Sequence, residues 1–130
     1  MKVIQSEGSR KRSVARAVIT EGKGKITING QLIDNLNDSV AALRIKEPVV
    51  LAGNIVKKLN IDVKIRGGGV FGQADAARLA IARGLVQHDK KLKSVFTEYD
   101  RLLLVADVRR KEVCKPNDSK ARAKRQKSYR

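Results

Sequence analysis

Between Ile61 and His88 an alternating strand, three consecutive glycines and a long alanine-rich helix follow one another, and no other stretch constrains the fold as tightly. Ile61, Val63 and Ile65 alternate with Asp62, Lys64 and Arg66, the period of two that gives a strand one buried and one wet face. The wet face is charged and mostly basic. Gly67, Gly68 and Gly69 then let the backbone take positive φ and lie close against another surface, because no Cβ intervenes. From Val70 the period becomes helical: Val70, Ala74, Ala77, Ile81, Gly84, Leu85 and His88 share one face, with Asp75, Arg83 and Gln87 opposite. Small residues dominate that face, so the helix is expected to sit close on a sheet.

Gly67-x-Gly69-x-x-Gly72, after a strand and before a helix, has the outline of a dinucleotide-binding turn. The continuation does not fit. Lys90 to Tyr99 reads as helix where a second parallel strand and a ribose-binding acid about 20 residues on are required. As a phosphate loop, the run is followed by Gln73-Ala74 instead of the Lys-Ser/Thr that reaches phosphates and magnesium. Neither nucleotide chemistry is expected, although the unpaired N–H groups at the helix start still suit an anion, a nucleic-acid phosphate included.

Charge points to the partner. Lys and Arg number 29 against 13 Asp and Glu in 130 residues, a formal net charge of +16 that implies a polyanion. With two Tyr, two Phe and no Trp, a base-stacking sheet has almost no material, so contact is expected with phosphate and shape. Cys114 and His88 are single residues of their kinds, which excludes an internal disulfide and a structural zinc site; no cofactor is expected. No apolar run approaches 18 residues and no signal-peptide core follows Met1, so a soluble, cytosolic protein without a membrane role is expected.

Upstream, Val3-Ile4, Ser13 to Thr20 and Lys25 to Asn29 read as three antiparallel strands, joined through Glu21-Gly22-Lys23-Gly24 as a hairpin loop. Asn29-Gly30 supplies the next turn. Asn37 or Asp38 caps a helix over Ser39 to Lys46, which Pro48 ends; Asn54 is a candidate cap for a short helix beyond it. Downstream, Asp89 to Tyr99 reads as another helix and Arg101 to Ala106 as an apolar segment against the core. From Arg109 the hydrophobic pattern stops. Ten of the last 22 residues are Lys or Arg, only Glu112 and Asp118 are acidic, and Pro116-Asn117-Asp118-Ser119 breaks any helix. The chain thus divides into a globular body, 1–108, and an extended basic tail, 109–130. The tail buries too little apolar surface to offset its ordering entropy.

The motifs resemble one family, the universal small-subunit ribosomal protein nine. Gly67-Gly68-Gly69-x-x-x-Gln73 leading to Ala80-Ile81-Ala82-Arg83-Gly84-Leu85, with Gly8-x-Arg10-Lys11-x-Ser13-x-Ala15-Arg16-Ala17 upstream, matches its signature. Tyr99 to Asp107, Arg109-Arg110 and the ending Ala121 to Arg130 are similar to its archaeal and eukaryotic branch. The resemblance implies an α/β (α+β) fold: a small mixed sheet backed by helices, as in domain 2 of ribosomal protein five, plus the tail. It also implies a left-handed βαβ crossover, against a general rule that makes about 98% of them right-handed.

Function follows as an expectation: a non-catalytic structural constituent of the small ribosomal subunit, cytoplasmic, with small-subunit rRNA, peptidyl-site tRNA and neighbouring ribosomal proteins as partners and no small-molecule substrate. The expected RNA-binding residues in the body are Arg10, Lys11, Arg12, Arg16, Lys64, Arg66, Gly67, Gly68, Gly69, Gln73, Arg78 and Arg83. In the tail they are Arg109, Arg110, Lys120, Arg122, Lys124 and Arg125, and the resemblance adds Lys127, Ser128, Tyr129 and Arg130 as contacts to tRNA. A free-standing, non-specific nucleic-acid or chromatin-type protein is the alternative that composition allows. A small-molecule kinase is disfavoured, because no phosphate-loop lysine is present. Backbone relaxation of the free protein should show slow, uniform tumbling to about Asp107 and fast internal motion from Lys120 onward; ordered amides across that last stretch would contradict the division.

Overall fold

The computed structural model describes residues 2–124, 126, 128 and 129. Among these residues, five strands and three α-helices make an α+β fold. The strands are β1 (Ile4–Arg10), β2 (Ser13–Glu21), β3 (Ile26–Ile28), β4 (Gln31–Leu32) and β5 (Leu59–Arg66). They form one mixed sheet in the order β1-β2-β5-β3-β4. The helices are α1 (Ser39–Ala52), α2 (Val70–His88) and α3 (Leu92–Tyr99), with short 3-10 turns at Ile33–Asn35, Gly53–Lys58 and Arg101–Leu103.

The alternation in β5 holds through the whole strand: Leu59, Ile61, Val63 and Ile65 are buried, and Asp62, Lys64 and Arg66 are exposed. β5 is the central strand, antiparallel to β2 and parallel to β3. The β3–β5 pairing corrects the expectation of three consecutive antiparallel strands. Of the three, only β1 and β2 pair with each other; β3 leaves the β2 edge free for β5, which the chain reaches through β4 and α1. Residues Glu21 to Gly24 are therefore a connection across the start of β5, not a hairpin loop. Asn60 holds it by accepting the Lys23 and Lys25 amides at its side-chain oxygen, 3.0 and 3.2 Å, while the Gly22 amide donates to the Lys58 carbonyl at 2.9 Å. A two-glycine loop looks the same in sequence in either role. Asn29 and Gly30, with φ of 50° and 85°, do make the tight turn between β3 and β4.

Helix α1 begins as its sequence indicates, with the Asp38 carboxylate accepting the Val40 and Ala41 amides at 3.0 and 3.1 Å. It does not stop at Pro48. Proline removes one amide and crowds the carbonyl four residues back, yet Pro48 is buried and the helix runs on to Ala52, also buried. Burial of this last turn outweighs the lost hydrogen bond. Gly53, at φ 65°, ends the helix.

Helix α2 lies on the sheet, chiefly over β1 and β2, and also packs against α1 and α3. Its surroundings are apolar nearly all round: from Ala74 to Ala82 every residue except Asp75 is buried. The two-faced helix expected from the periodicity is corrected accordingly, since Val70 and His88 are exposed at its ends while Arg78 and Leu79, off the expected face, are buried. Alanine side chains let the strands and the neighbouring helices all come close to one helix. The sheet side is tightest at Gly8, where a Cβ would collide with the Ala76 carbonyl and stand 2.6 Å from the Ala80 amide nitrogen. Ser6 Oγ donates to the Ala80 carbonyl at 2.7 Å beside it. Phe96 and Leu103, both fully buried, tie α3 and the following 3-10 turn to the same core.

Gly8→Ala is expected to cost about 1–3 kcal/mol, because its methyl must displace helix backbone and no flexible side chain can yield instead. Denaturant unfolding should show a lowered midpoint with an unchanged slope; a midpoint equal to that of the parent would refute the close approach.

Candidate nucleic-acid interface

The sheet face opposite α2 carries Arg16, Lys64 and Arg66, all exposed. Arg16 and Lys64 are direct cross-strand partners, and Arg66 follows on the same face two residues along β5. None of the three makes an ion pair among the described residues. Like charges directly opposite one another destabilise a sheet. Beside this face, the β1–β2 turn exposes Lys11, at φ 54°, and Arg12, which likewise form no ion pair among the described residues.

The glycine turn is held against that same β1–β2 turn. Gly67 and Gly68 both take positive φ, 73° and 69°, which a side chain would strain. A Cβ on Gly67 would stand 2.5 Å from the Arg12 carbonyl oxygen, and one on Gly68 would collide with Ser13 Oγ. Ser13, fully buried, donates from Oγ to the Gly67 carbonyl at 2.9 Å, and Gln73 Nε2 donates to the same oxygen at 3.1 Å. The close approach these two glycines permit is thus internal: it fixes Lys11 and Arg12 relative to β5. Gly69 differs, for its φ of −97° is ordinary and a Cβ there would meet nothing within 4 Å.

Several cations expected on the interface are used inside the protein. Arg78 is 7% exposed; its Nη2 lies 2.6 Å from Glu47 Oε2 in α1 and 3.0 Å from Asp100 Oδ2 at the end of α3, the first an ion pair without hydrogen-bond alignment. Arg83 donates to two neutral acceptors, the Leu104 carbonyl at 3.1 Å and the Glu7 carbonyl at 3.0 Å, tying α2 to β1 and to the segment after α3. Arg10 contacts Asp107 at 3.0 Å and Asp75 at 3.7 Å; Arg44 also pairs with Asp75. Arg109 forks onto Asp107, with Nη2 to Oδ2 at 2.7 Å and Nε to Oδ1 at 3.1 Å. No motif distinguishes the role of Arg78, because an arginine in a helix of small residues reads as surface unless its acidic partners, 22 or more residues away, are known to be near.

Hydrogen bonds from the Arg109 side chain and backbone, with Arg10 adding its charge, hold the Asp107 carboxyl well below the usual carboxylate range. The same contacts raise Arg109. At Asp100, burial pushes the carboxyl up, but the Leu102 amide and Arg78 outweigh it and leave the group lowered. Past Leu103 the described residues form no helix or strand. Arg110, Lys111, Lys120 and Lys124 are exposed there, while Arg122 pairs with Glu112 at 3.0 Å. Ser128 and Tyr129 are exposed; Arg125, Lys127 and Arg130 lie outside the described residues.

Fold and surface together define a small basic α+β module that divides its cations between internal ties and an outward face. The family described as ribosomal protein S9/S16 matches residues 8–130, and the chain belongs to it, a family of structural proteins that act in translation and not as enzymes. The small ribosomal subunit protein uS9 of Thermoplasma volcanium is 50% identical over 132 residues, that of Methanothrix thermoacetophila 46% over 132 and that of Methanococcus vannielii 44% over 134, each covering all of both chains. No helix among the described residues is long and apolar enough to cross a membrane.

Two variants separate the internal arginines from the outward ones. Arg78→Met should destabilise the fold by roughly 1–3 kcal/mol, below the fully buried range because both carboxylates are about a third exposed. It should leave the salt dependence of RNA binding unchanged. Asp107 has its folded carboxyl lowered, so its stabilisation is complete above the unfolded value of about 3.9 and is lost as pH falls through the lower folded value. The Arg109 Nε–H resonance should therefore lose its protection only in acid, and Asp107→Asn should abolish it at neutral pH; identical profiles would disprove the pairing.

Proposed function

We propose that this protein docks on rRNA in the head of the small ribosomal subunit through the open sheet face and the β1–β2 turn, and that its C-terminal tail extends toward the peptidyl-site tRNA. The observation that carries the docking is the Arg16–Lys64 pair, two cations placed opposite each other with no ion-pair partner among the described residues. A phosphate between them turns mutual repulsion into two charge-assisted contacts. Arg66, Lys11 and Arg12 extend the same surface, and each phosphate neutralised releases condensed counterions.

The tail's role rests on family membership and on chemistry. Its charge density suits a path between RNA strands, and a full 22-residue extension spans roughly 70 Å. In the last four residues, Arg130 offers a forked donor to a phosphate, Lys127 a point charge, Ser128 a hydroxyl and Tyr129 an exposed ring. Neighbouring ribosomal proteins are further partners of the assembled protein, and the cytoplasmic ribosome is its location.

Binding to small-subunit rRNA should weaken steeply with salt. Six tail contacts at about −0.7 each give a slope of log K on log salt near −4, and the body steepens it. Arg16→Gln with Lys64→Gln should flatten the slope while leaving the unfolding midpoint near that of the parent; a slope near zero in the parent protein would end the proposal. Deleting Lys127 to Arg130 should give subunits that sediment normally but release peptidyl-site tRNA faster, and equal release rates would leave the tail an assembly role alone.

A further inference from the structure

A groove runs between the β1–β2 turn, the glycine turn with the start of α2, and the beginning of the tail at Arg109 to Cys114. Its lining has six Lys or Arg side chains against two carboxylates. Both carboxylates are already neutralised, Asp75 by Arg44 and Arg10, Glu112 by Lys115 and Arg122. Lys11, Arg12, Arg110 and Lys111 remain, and no ion pair among the described residues occupies them.

Within this basic rim stands an apolar element. Phe71, on the first turn of α2, is 60% exposed, and Val70 beside it is 52% exposed. The core does not use the Phe71 ring; the other phenylalanine, Phe96, is completely buried. Next to it, Gly69 faces open space on an ordinary backbone conformation. An exposed ring, an unfilled gap and free cations in one groove match what an unpaired nucleotide requires: a π-face to stack on, room for ribose, and charges for the flanking phosphates.

We infer that Phe71 stacks an unpaired base of the RNA, whose phosphates are held by Lys11 and Arg12 on one wall of the groove and by Arg110 and Lys111 on the other. The inference rests on the RNA-docking reading above and adds to it a single-stranded element. A scarcity of aromatics argues against a platform for several bases, but one base needs one ring.

The chain contains no tryptophan, so Phe71→Trp places a single indole, excited selectively over the two tyrosines, at the proposed contact. Full-length Phe71→Trp should be quenched when titrated with single-stranded oligouridylate and not with a blunt RNA duplex, while a Val50→Trp reporter on α1, outside the groove, should respond to neither. Phe71→Ala should weaken oligouridylate binding about tenfold at fixed salt, within the range for loss of one stacked base, with an unchanged salt slope; Phe71→Trp should restore it. Gly69→Ala, compatible with the fold, should weaken single-strand binding and spare duplex binding. If the parent protein binds no RNA, the docking reading itself fails. If the parent binds with a steep salt slope but Phe71→Ala binds equally well, or loses single strand and duplex alike, the stacking site is overturned. Equal RNA binding combined with impaired subunit incorporation would assign the groove to a protein neighbour and also overturn it.

Discussion

Everything in this fold leans on how closely α2 can approach the sheet. Gly8 in β1 leaves no Cβ between the strand and the helix backbone, and Ser6 bonds directly to the Ala80 carbonyl. At that spacing only small side chains fit, which accounts for Ala76, Ala77 and Ala80 at zero exposure. The same smallness lets α1 and α3 pack against the helix as well, so most of its circumference is buried. Such a core is thin in apolar volume per residue. It gains its stability from density, and it leaves polar atoms near one another that must be satisfied.

That need explains why so basic a protein spends several arginines on itself. Arg78 reaches from α2 to carboxylates on α1 and after α3; Arg83 reaches to carbonyls on β1 and at Leu104. A guanidinium stays charged even when buried, so Arg78 can hold both carboxylates at once, and the five donors of Arg83 let it serve two carbonyls from separate nitrogens. The cations that remain, on the open sheet face and the β1–β2 turn, form no ion pair among the described residues, and they give that side of the protein its net positive field.

The glycine turn and the Asp107 latch meet at the β1–β2 turn from opposite sides. Ser13 and Gln73 hold the Gly67 carbonyl, and Arg10, the last residue of β1, pairs with Asp107 where the chain leaves the body. The chain therefore leaves the body tied to the end of β1, next to the exposed Lys11 and Arg12 of the β1–β2 turn, although nearly the whole body separates Arg10 from Asp107 in sequence.

The strand–glycine–helix core, the capped start of α1, the Asn29–Gly30 turn and the strongly basic character could be read directly from residues, because each depends on neighbours in the chain. Period-two alternation, an Asp before an apolar run and a positive-φ Asn-Gly pair act locally. The parallel pairing of β3 with β5, the passage of α1 through Pro48 and the burial of Arg78 depend on contacts between distant segments, and only the tertiary structure decided them. Pro48 stays helical since its side chain is buried; the Glu21–Gly24 connection spans β5 since Asn60 grips it; Arg78 is internal since Glu47 and Asp100 arrive beside it. Sequence specifies which charges exist, whereas packing decides which of them are consumed in folding and which are left to face a partner.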